Sequence, residues 1–233
     1  MKPSHDLKEI LDVHNFATTK DKAEFVVTRY NESLDWLKGL EHLATIYNKG
    51  ANDLPYDSIS VPNYGCGLET MLRHIITRYN SLADMTMFCQ GTLADRADQP
   101  LYPLSWYFDG SGVKGYLTDA YDVPKSRYRS RLTDPLTFSN RTLTTFREKV
   151  VGIPYKYLVE MWVRGDWISV SRDAIHKKPY QYYCHLYEAC NFKRGVLVEE
   201  CWFLERSWYS IFTGQLRHNF KYPDHKSEDI LLQ

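Results

Sequence analysis

Two carboxylates, Asp95 and Asp98, follow a short apolar run and a glycine in the stretch "MTMFCQGTLADRAD", residues 85–98. Carboxylate oxygens suit Mg²⁺ and Mn²⁺, and such an ion commonly bridges the phosphates of a nucleotide. Gly91 would let the backbone approach a ligand closely. The same residues fit a solvated turn in which aspartates cap a helix. The spacing leaves both interpretations open, a divalent metal site and an ordinary turn.

Glu205 is a candidate for proton transfer. On a helical wheel it falls between Cys201 and Trp208, at the edge of an apolar stripe. A carboxylate beside bulky aromatic side chains loses hydration, which raises its pKa and suits it to act as a general base. The alternative interpretation is an ordinary surface ion pair, for instance with Arg206.

A basic run, "KSRYRSR" at residues 125–131, places four cations within seven residues. Such a run is usually a solvated face. In a long loop it could also contact phosphate or an anionic partner. Both interpretations stay open.

The elements that must position these residues alternate along the first 90 residues. Apolar runs ending in turn formers predict four strands, and one apolar stripe at helical spacing predicts a long helix. The strands are predicted in "AEFVVTRYNE", "ATIYNKG", "ISVPNYGCG" and "MTMFCQG", and helices in "ESLDWLKGLEHL" and "LETMLRHIITRYNSL". This alternation predicts an α/β fold with a mixed, mostly parallel sheet flanked by helices.

The second half of the chain is less regular. Residues 99–150 are rich in turn formers and suggest a long loop with short helices. A strand in "YLVEMWVRGDWISVSR", with a turn or bulge at Gly165, is followed by helices in "KKPYQYYCHLYEAC" and "VLVEECWFLERSWYSIF". We expect one domain over residues 1–215 and a polar tail over residues 216–233.

Polar loops follow three of the predicted strands, in the segments "TRYNE", "PNYGCG" and "QGTLADRAD". In an open α/β sheet, ligands bind at the carboxyl ends of the strands. These loops are therefore expected to meet at one ligand site, which includes Asn63, Gly65, Gln90 and Gly91.

Composition narrows the class of protein. Lys plus Arg equals Asp plus Glu, at 29 each in 233 residues, which argues against a general nucleic-acid binder but leaves room for a local basic pocket. Five cysteines without a C-x-x-C pair argue against a zinc or disulfide framework. No apolar run approaches the roughly 18 residues that a membrane span needs, and the polar start does not look like a signal peptide. We expect a cytoplasmic protein with no membrane span.

Five motifs in order carry a resemblance. They are "VVTRYNESLDWL", "IYNKG", "VPNYGCGLETMLRHIITRYNSLADMTMFCQG", "WISVSRDAIHKKPYQYY" and "FLERSWYSIF". Together, over residues 24–214, they resemble a domain family of unknown function from fungi and bacteria. They are also similar to glycosyltransferase domains of large algal DNA viruses, which build capsid glycans. The resemblance implies a GT-A-like, Rossmann-type fold that binds a nucleotide sugar and a Mn²⁺ or Mg²⁺ ion.

The resemblance also implies roles for individual residues. The nucleotide would lie over the end of the first strand, at Thr28, Arg29, Tyr30 and Asn31. Asp95 would be the first metal ligand, with Asp98 as the second. Glu205 would be the base, with Glu200 and Asp166 in reserve. GT-A enzymes usually carry D-x-D, whereas this chain has D-x-x-D.

The implied activity is transfer of a sugar from a nucleotide-sugar donor, UDP-linked by analogy, to a hydroxyl of a glycan acceptor. It would be inverting and metal-assisted, and in a viral setting it would take place in the host cytoplasm. Two alternatives remain open. One is a non-catalytic nucleotide-sugar or glycan-binding module, and the other is another metal-dependent nucleotidyl enzyme.

Overall fold

Six strands form one mixed sheet in the computed structural model, which describes residues 19–92, 104–110, 112–119, 139–153 and 161–214. The strands are β1 (Ala23–Arg29), β2 (Ala44–Asn48), β3 (Ile59–Ser60), β4 (Met85–Gln90), β5 (Val113–Asp119) and β6 (Met161–Ser171). Their order across the sheet is β3-β2-β1-β4-β6-β5. The first four are parallel, and β6 is antiparallel to both β4 and β5. The predicted α/β class with a mixed, mostly parallel sheet is confirmed.

The central strand β1 is buried on both faces, as its apolar run predicts. Phe25 and Val27 pack with Met87 of the neighbouring β4 on one face, and Val26 packs with Phe88 on the other. All five side chains are at most 2% exposed. Parallel strands covered by helices on both sides read as continuous apolar runs for this reason.

Seven short helices accompany the sheet in the described residues. They are α1 (Cys66–Arg78), α2 (Leu104–Tyr107), α3 (Leu143–Phe146), α4 (Arg172–His176), α5 (Tyr180–Cys190), α6 (Glu199–Glu205) and α7 (Trp208–Thr213). Helix α1 carries the predicted apolar stripe, and Leu68, Leu72 and Ile75 bury it in the larger of two hydrophobic clusters. The helix predicted in "KKPYQYYCHLYEAC" is α5, which begins directly after Pro179.

The helix predicted in "ESLDWLKGLEHL" is wrong. The segment forms two 3-10 turns, Asp35–Leu37 and Glu41–Leu43, separated by Gly39 in a left-handed conformation with φ of 89°. Its leucines, at positions 34, 37, 40 and 43, recur every three residues and are all buried. That period is the one of a 3-10 helix, in which residues three apart lie on one side.

The prediction of one continuous helix in "VLVEECWFLERSWYSIF" is also wrong, because the segment forms two helices, α6 and α7. The Ser207 hydroxyl donates a 2.6 Å hydrogen bond to the Phe203 carbonyl oxygen, one turn back. Serine hydroxyls that bond the backbone in this way compete with the helical ladder. The predicted core stripe survives the break, since Cys201, Leu204 and Trp208 are at most 1% exposed.

A strand was missed within residues 99–150. Strand β5 lies at the edge of the sheet, where mixed polar composition is tolerated. Its pairing with β6 shifts register between Gly115 and Leu117, opposite the β6 residues that include Gly165. This register shift agrees with the turn or bulge that the sequence predicts at Gly165.

Among the described residues, no helix combines the length and the apolar character that crossing a bilayer requires. The basic run at 125–131 and the tail at 216–233 lie outside the described residues.

Candidate functional site

A cleft of about 610 Å³ opens where β1, β2 and β4 end. Strands β2 and β3 follow β1 on one side, whereas β4 lies on its other side. In open α/β sheets, such a reversal of strand order creates a crevice in which ligands bind. The strand ends supply one part of the lining, namely Thr28, Arg29, Tyr30, Glu32, Lys49 and Gln90.

The opposite wall of the cleft is the segment 194–197, which meets the start of α1. Two backbone hydrogen bonds fix it there. The Gly65 amide donates to the Gly195 carbonyl and the Cys66 amide to the Val196 carbonyl, each at 3.1 Å. Gly65 has φ of 65°, and a Cβ at this position would lie 2.5 Å from the Phe192 ring. Only glycine therefore fits this junction.

Although the chain as a whole is neutral, the side chains of the described residues that line the cleft carry a positive balance. Three cationic side chains line it, from Arg29, Lys49 and Arg194, against one carboxylate, from Glu32. Each of the three cations forms an ion pair with a described carboxylate that does not line the cleft, namely Asp53, Glu69 and Glu200. An anionic ligand would therefore meet Arg194 first, because the Arg29 and Lys49 side chains are only 4% and 2% exposed.

Arg29 organises the loops instead of reaching freely into the cleft. Its guanidinium donates to the Glu32 carbonyl at 3.1 Å and to the Ala51 carbonyl at 2.6 Å, and it lies 2.7 Å from the Asp53 carboxylate. Gly50 allows the same loops to touch, because a Cβ there would lie 1.2 Å from the Tyr30 carbonyl oxygen. Arg29 is thus a positioning residue for the cleft.

Lys49 belongs to a buried cluster behind the start of α1. Its ammonium lies 2.9 Å from a Glu69 oxygen, and Glu69 also binds Arg73 and accepts a 2.7 Å hydrogen bond from the Tyr187 hydroxyl. Burial, with the Glu69 carboxylate beside it, raises the pKa of Tyr187, so the phenol stays protonated and donates. Two cations share one carboxylate, which leaves one positive charge beside the cleft.

Glu32 joins the loops that follow β1 and β4. Its Oε2 accepts hydrogen bonds from the Tyr30 amide at 2.6 Å and the Asn31 amide at 3.1 Å. Gly91 lies against it, and a Cβ there would be 2.9 Å from Glu32 Oε2. The indole N–H of Trp36, which does not line the cleft, donates a 2.7 Å hydrogen bond to the Gly91 carbonyl oxygen. Glu32 is therefore held in place at the rim of the cleft.

Two exposed apolar side chains also line the cleft. Tyr30 is 52% exposed and Val196 is 50% exposed. Among the described residues, only one other large apolar side chain is comparably exposed, Ile59 at 46%, and it does not line the cleft. An exposed aromatic ring at a polar cleft offers a flat surface for a base or a sugar.

The structure brings together most of the residues that the sequence assigned to the nucleotide. Five of them line the cleft: Thr28, Arg29, Tyr30, Asn63 and Gln90. The other three shape it from the backbone. The Asn31 amide binds Glu32, the Gly65 amide binds the opposite wall, and the Gly91 amide donates to the Thr28 carbonyl at 2.7 Å.

Two of the proposed catalytic carboxylates, Glu205 and Glu200, do not line the cleft. Glu205 ends helix α6, 3.8 Å from Arg206, and does not line the cleft. Glu200 is 3% exposed and forms an ion pair with Arg194, which does line the cleft. Asp166 lies within strand β6, and its side chain is outside the described part of the structure.

Asp95 and Asp98, the predicted metal ligands, lie outside the described residues. Within the described part of the chain, no group of three or more His, Cys, Asp or Glu residues fits a metal ion. Glu32 is the one carboxylate of that part of the chain that lines the cleft. These residues do not make a metal site by themselves, and the assignment of Asp95 and Asp98 stays a prediction.

Sequence reasoning missed three parts of the lining. Glu32 lay within the quoted "TRYNE" but was not singled out, and Lys49 was treated only as part of a turn. The segment 194–197 was missed because backbone hydrogen bonds bring it to Gly65 and Cys66, about 130 positions earlier in the chain, and such bonds leave no pattern in side-chain types.

Comparison of the chain with protein-family models, with curated proteins and with solved structures finds no match.

Proposed function

We propose that the protein is a GT-A-like glycosyltransferase that binds a nucleotide-sugar donor in the cleft at the ends of β1, β2 and β4. One observation carries the proposal. Five of the eight residues that the sequence assigns to the nucleotide-sugar site, three of them by the resemblance, line a single cleft at the point where strand order reverses. Nucleotides bind at this point in related sheet architectures.

Each part of a donor has a chemically suitable partner in the lining. The Tyr30 ring offers a stacking surface for the base, and Glu32 offers a carboxylate for ribose hydroxyls. The diphosphate suits Arg194, while the buried ammonium of Lys49, whose three hydrogen bonds stay within the protein, adds only its positive charge. The same cations would stabilise the charge that develops on the leaving nucleoside diphosphate.

The reaction also needs a base for the acceptor hydroxyl. We favour Glu200, because its ion-pair partner Arg194 lines the cleft, whereas Glu205 lies apart from it. The carboxylate would take the proton from the acceptor hydroxyl as its oxygen attacks the anomeric carbon, while the bond to the diphosphate breaks. A single in-line displacement inverts the configuration at that carbon.

A Mn²⁺ or Mg²⁺ ion held by Asp95 and Asp98 remains part of the proposal. When bound, the ion would neutralise charge on the diphosphate. Every role assigned above to Lys49, Arg194 and Glu32 stands without it.

A non-catalytic nucleotide-sugar-binding module is the second candidate. It is favoured by one observation: neither Glu200 nor Glu205 lines the donor cleft directly. Such a module would use the same cleft and the same contacts to the nucleotide, so binding alone does not separate it from a transferase.

Turnover separates the two candidates. The protein is incubated with UDP-, GDP- and CMP-linked sugars in Mn²⁺ and in EDTA, and the released nucleotide is measured. A transferase hydrolyses one donor slowly even without an acceptor, and the glycosyltransferase proposal predicts this. A donor that binds without any release of nucleotide, with or without a glycan acceptor, would support the binding module. Failure of every donor to bind would exclude both.

A further inference from the structure

A second cavity, of about 300 Å³, adjoins the cleft through a shared residue, Arg194. Six of the seven described residues that line it are polar or charged, and it lies between the start of α3, the end of α5 and helix α6. Glu200, the carboxylate favoured above as the base, also lines it. This cavity therefore connects the proposed donor site with a candidate base.

Among the described residues, the charges that line this cavity balance, unlike those that line the cleft. Arg141 and Arg194 supply two positive charges, and Glu188 and Glu200 supply two negative ones. The cleft, in contrast, is lined by three cations and one carboxylate. A phosphate would gain little in a balanced cavity, whereas a neutral polar molecule would meet both donors and acceptors.

Several polar groups of the cavity are available to a ligand. The side-chain amides of Asn140 and Asn191 have no hydrogen-bond partner within the described part of the chain, and both residues are exposed. Arg141 is anchored through one nitrogen, which donates to the Ala189 carbonyl at 3.1 Å. The remaining guanidinium nitrogens have no partner among the described residues. Amides and guanidinium groups present pairs of N–H donors, which match neighbouring hydroxyls on a sugar ring.

We infer that this second cavity is a binding subsite for a neutral, hydroxyl-rich ligand, namely a sugar residue of the glycan acceptor. The inference rests on the proposed function, since an acceptor has to lie beside the donor. Arg194 lines both cavities and pairs with Glu200, so an acceptor sugar held by Asn140, Asn191 and Arg141 would lie against the base and next to the donor cleft.

Sugar binding to the isolated protein tests the inference without any nucleotide. The probes are the methyl α- and β-glycosides of glucose, galactose, mannose, xylose, fucose and rhamnose, followed by saturation-transfer NMR. The variant carries Asn140→Ala together with Asn191→Gly. Glycine at position 191 keeps the left-handed backbone, for which φ is 43°. At least one glycoside should bind the wild type, and the variant should bind it about tenfold more weakly or worse, because two hydrogen-bonding amides are lost.

Asn80→Ala is the matched control. Asn80 is exposed and lies beyond the far end of α1, roughly 20 Å along the helix axis from the cleft. This variant should bind the glycoside as the wild type does. The inference is overturned if no glycoside binds the wild type, or if the double variant binds as tightly as the control.

A separate titration with UDP and GDP keeps the inference distinct from the proposed function. The double variant should bind the nucleotide as the wild type does, because neither asparagine lines the cleft. Glycoside binding that depends on the asparagines, in a protein that binds no nucleotide, would keep the sugar subsite and remove the transferase. Nucleotide binding without any glycoside binding would keep the donor cleft and remove the subsite.

Discussion

The Lys49 ammonium lies 2.9 Å from a Glu69 carboxylate oxygen, and the two side chains are only 2% and 0% exposed. Lys49 also donates to the carbonyl oxygens of Tyr64 and Cys66, at 2.6 and 2.7 Å. The pair therefore links the end of β2 with the loop that begins α1. A buried charge is costly when its partner is missing. The loops that line the cleft therefore depend on both members of this ion pair for their position.

Substitutions within this pair should differ in cost. Glu69→Gln leaves the ammonium of Lys49 and the guanidinium of Arg73 without a carboxylate, whereas Lys49→Met leaves Arg73 and Glu69 as a balanced pair. We expect Glu69→Gln to lower the free energy of unfolding by about 3–5 kcal/mol, the range for a broken buried pair, and Lys49→Met to lower it by less. Urea denaturation measures both values.

Lys22→Met is the control for Lys49→Met. Lys22 lies 2.7 Å from Asp84, but its side chain is 62% exposed, so its removal should hardly change stability. Equal stability of the Glu69→Gln and wild-type proteins would contradict a buried, cooperating cluster.

Glu24 should make stability depend on pH. Burial alone would raise its pKa, but contacts with His74, at 3.4 Å, and with the Thr45 hydroxyl, at 2.5 Å, outweigh burial and hold the pKa below the ordinary value. A carboxyl whose pKa is depressed by folding stabilises the protein above its unfolded pKa, and this contribution is lost as the pH falls through the folded pKa. Glu24 therefore stabilises the fold at neutral pH and stops doing so in acid.

Glu24→Gln isolates this contribution. The difference in unfolding free energy between the wild type and the variant should be present at neutral pH and should shrink as the pH falls below about 4.3, the ordinary value for glutamate. Denaturation curves at a series of pH values measure it. A difference that stays constant down to pH values well below that range would mean that the Glu24 carboxylate does not carry it.

Cys66 reports on occupancy of the cleft. It lines the cleft and is partly exposed, whereas the other four cysteines, at positions 89, 184, 190 and 201, are buried. Burial raises the pKa of these four thiols, which keeps them protonated and unreactive. A thiol reagent such as DTNB should therefore modify one thiol quickly in the native protein and five in denaturant. UDP or GDP in the cleft should slow the fast reaction.

Cys66→Ser supplies the control for the thiol assay. The fast reaction should disappear in this variant, while the four slow thiols should still react after unfolding. Several fast thiols in the native wild type would contradict the burial of the other four cysteines. A fast reaction that nucleotide leaves unchanged, at concentrations that saturate binding, would place the nucleotide away from Cys66.

The two candidate bases should separate in a turnover assay. Glu200→Gln keeps size and hydrogen-bonding capacity but cannot take a proton, so transfer should fall by about 10²- to 10⁴-fold, the usual share of general-base catalysis. Donor affinity should stay near the wild-type value. Glu205→Gln should keep most of the activity, because Glu205 lies beside Arg206 and not in the cleft. The reverse ranking would restore the assignment that the sequence alone favours.

The sequence predicts those parts of the fold that depend on local patterns. Strands β1 and β4 follow from continuous apolar runs, and α1 follows from one apolar stripe. The same patterns placed the polar ends of β1 and β4 in the candidate site, because parallel strands end at one edge of a sheet. Local patterns are sufficient for these elements because the spacing of their buried apolar residues differs between a strand and a helix.

The predictions that are wrong or incomplete concern features that depend on tertiary contacts or on single residues. Gly39 divides one predicted helix, and the Ser207 hydroxyl divides another, although both segments keep a buried apolar period. The wall formed by residues 194–197 depends on backbone hydrogen bonds to Gly65 and Cys66. The ion pair of Lys49 with Glu69 joins distant segments, and that of Arg194 with Glu200 joins the segment 194–197 to helix α6; no residue spacing indicates either pair in advance.

Titration calorimetry with UDP and GDP, on wild type, Tyr30→Ala and Ile59→Ala, tests the central claim most directly. Both substituted side chains are large, apolar and about half exposed, but only Tyr30 lines the cleft. We predict that the wild type and Ile59→Ala bind one of the nucleotides equally, and that Tyr30→Ala binds it about 10- to 100-fold more weakly, the range expected for loss of one base-stacking contact. Wild-type protein that binds neither nucleotide, in Mn²⁺ or in EDTA, would contradict the account, as would equal affinities of all three proteins.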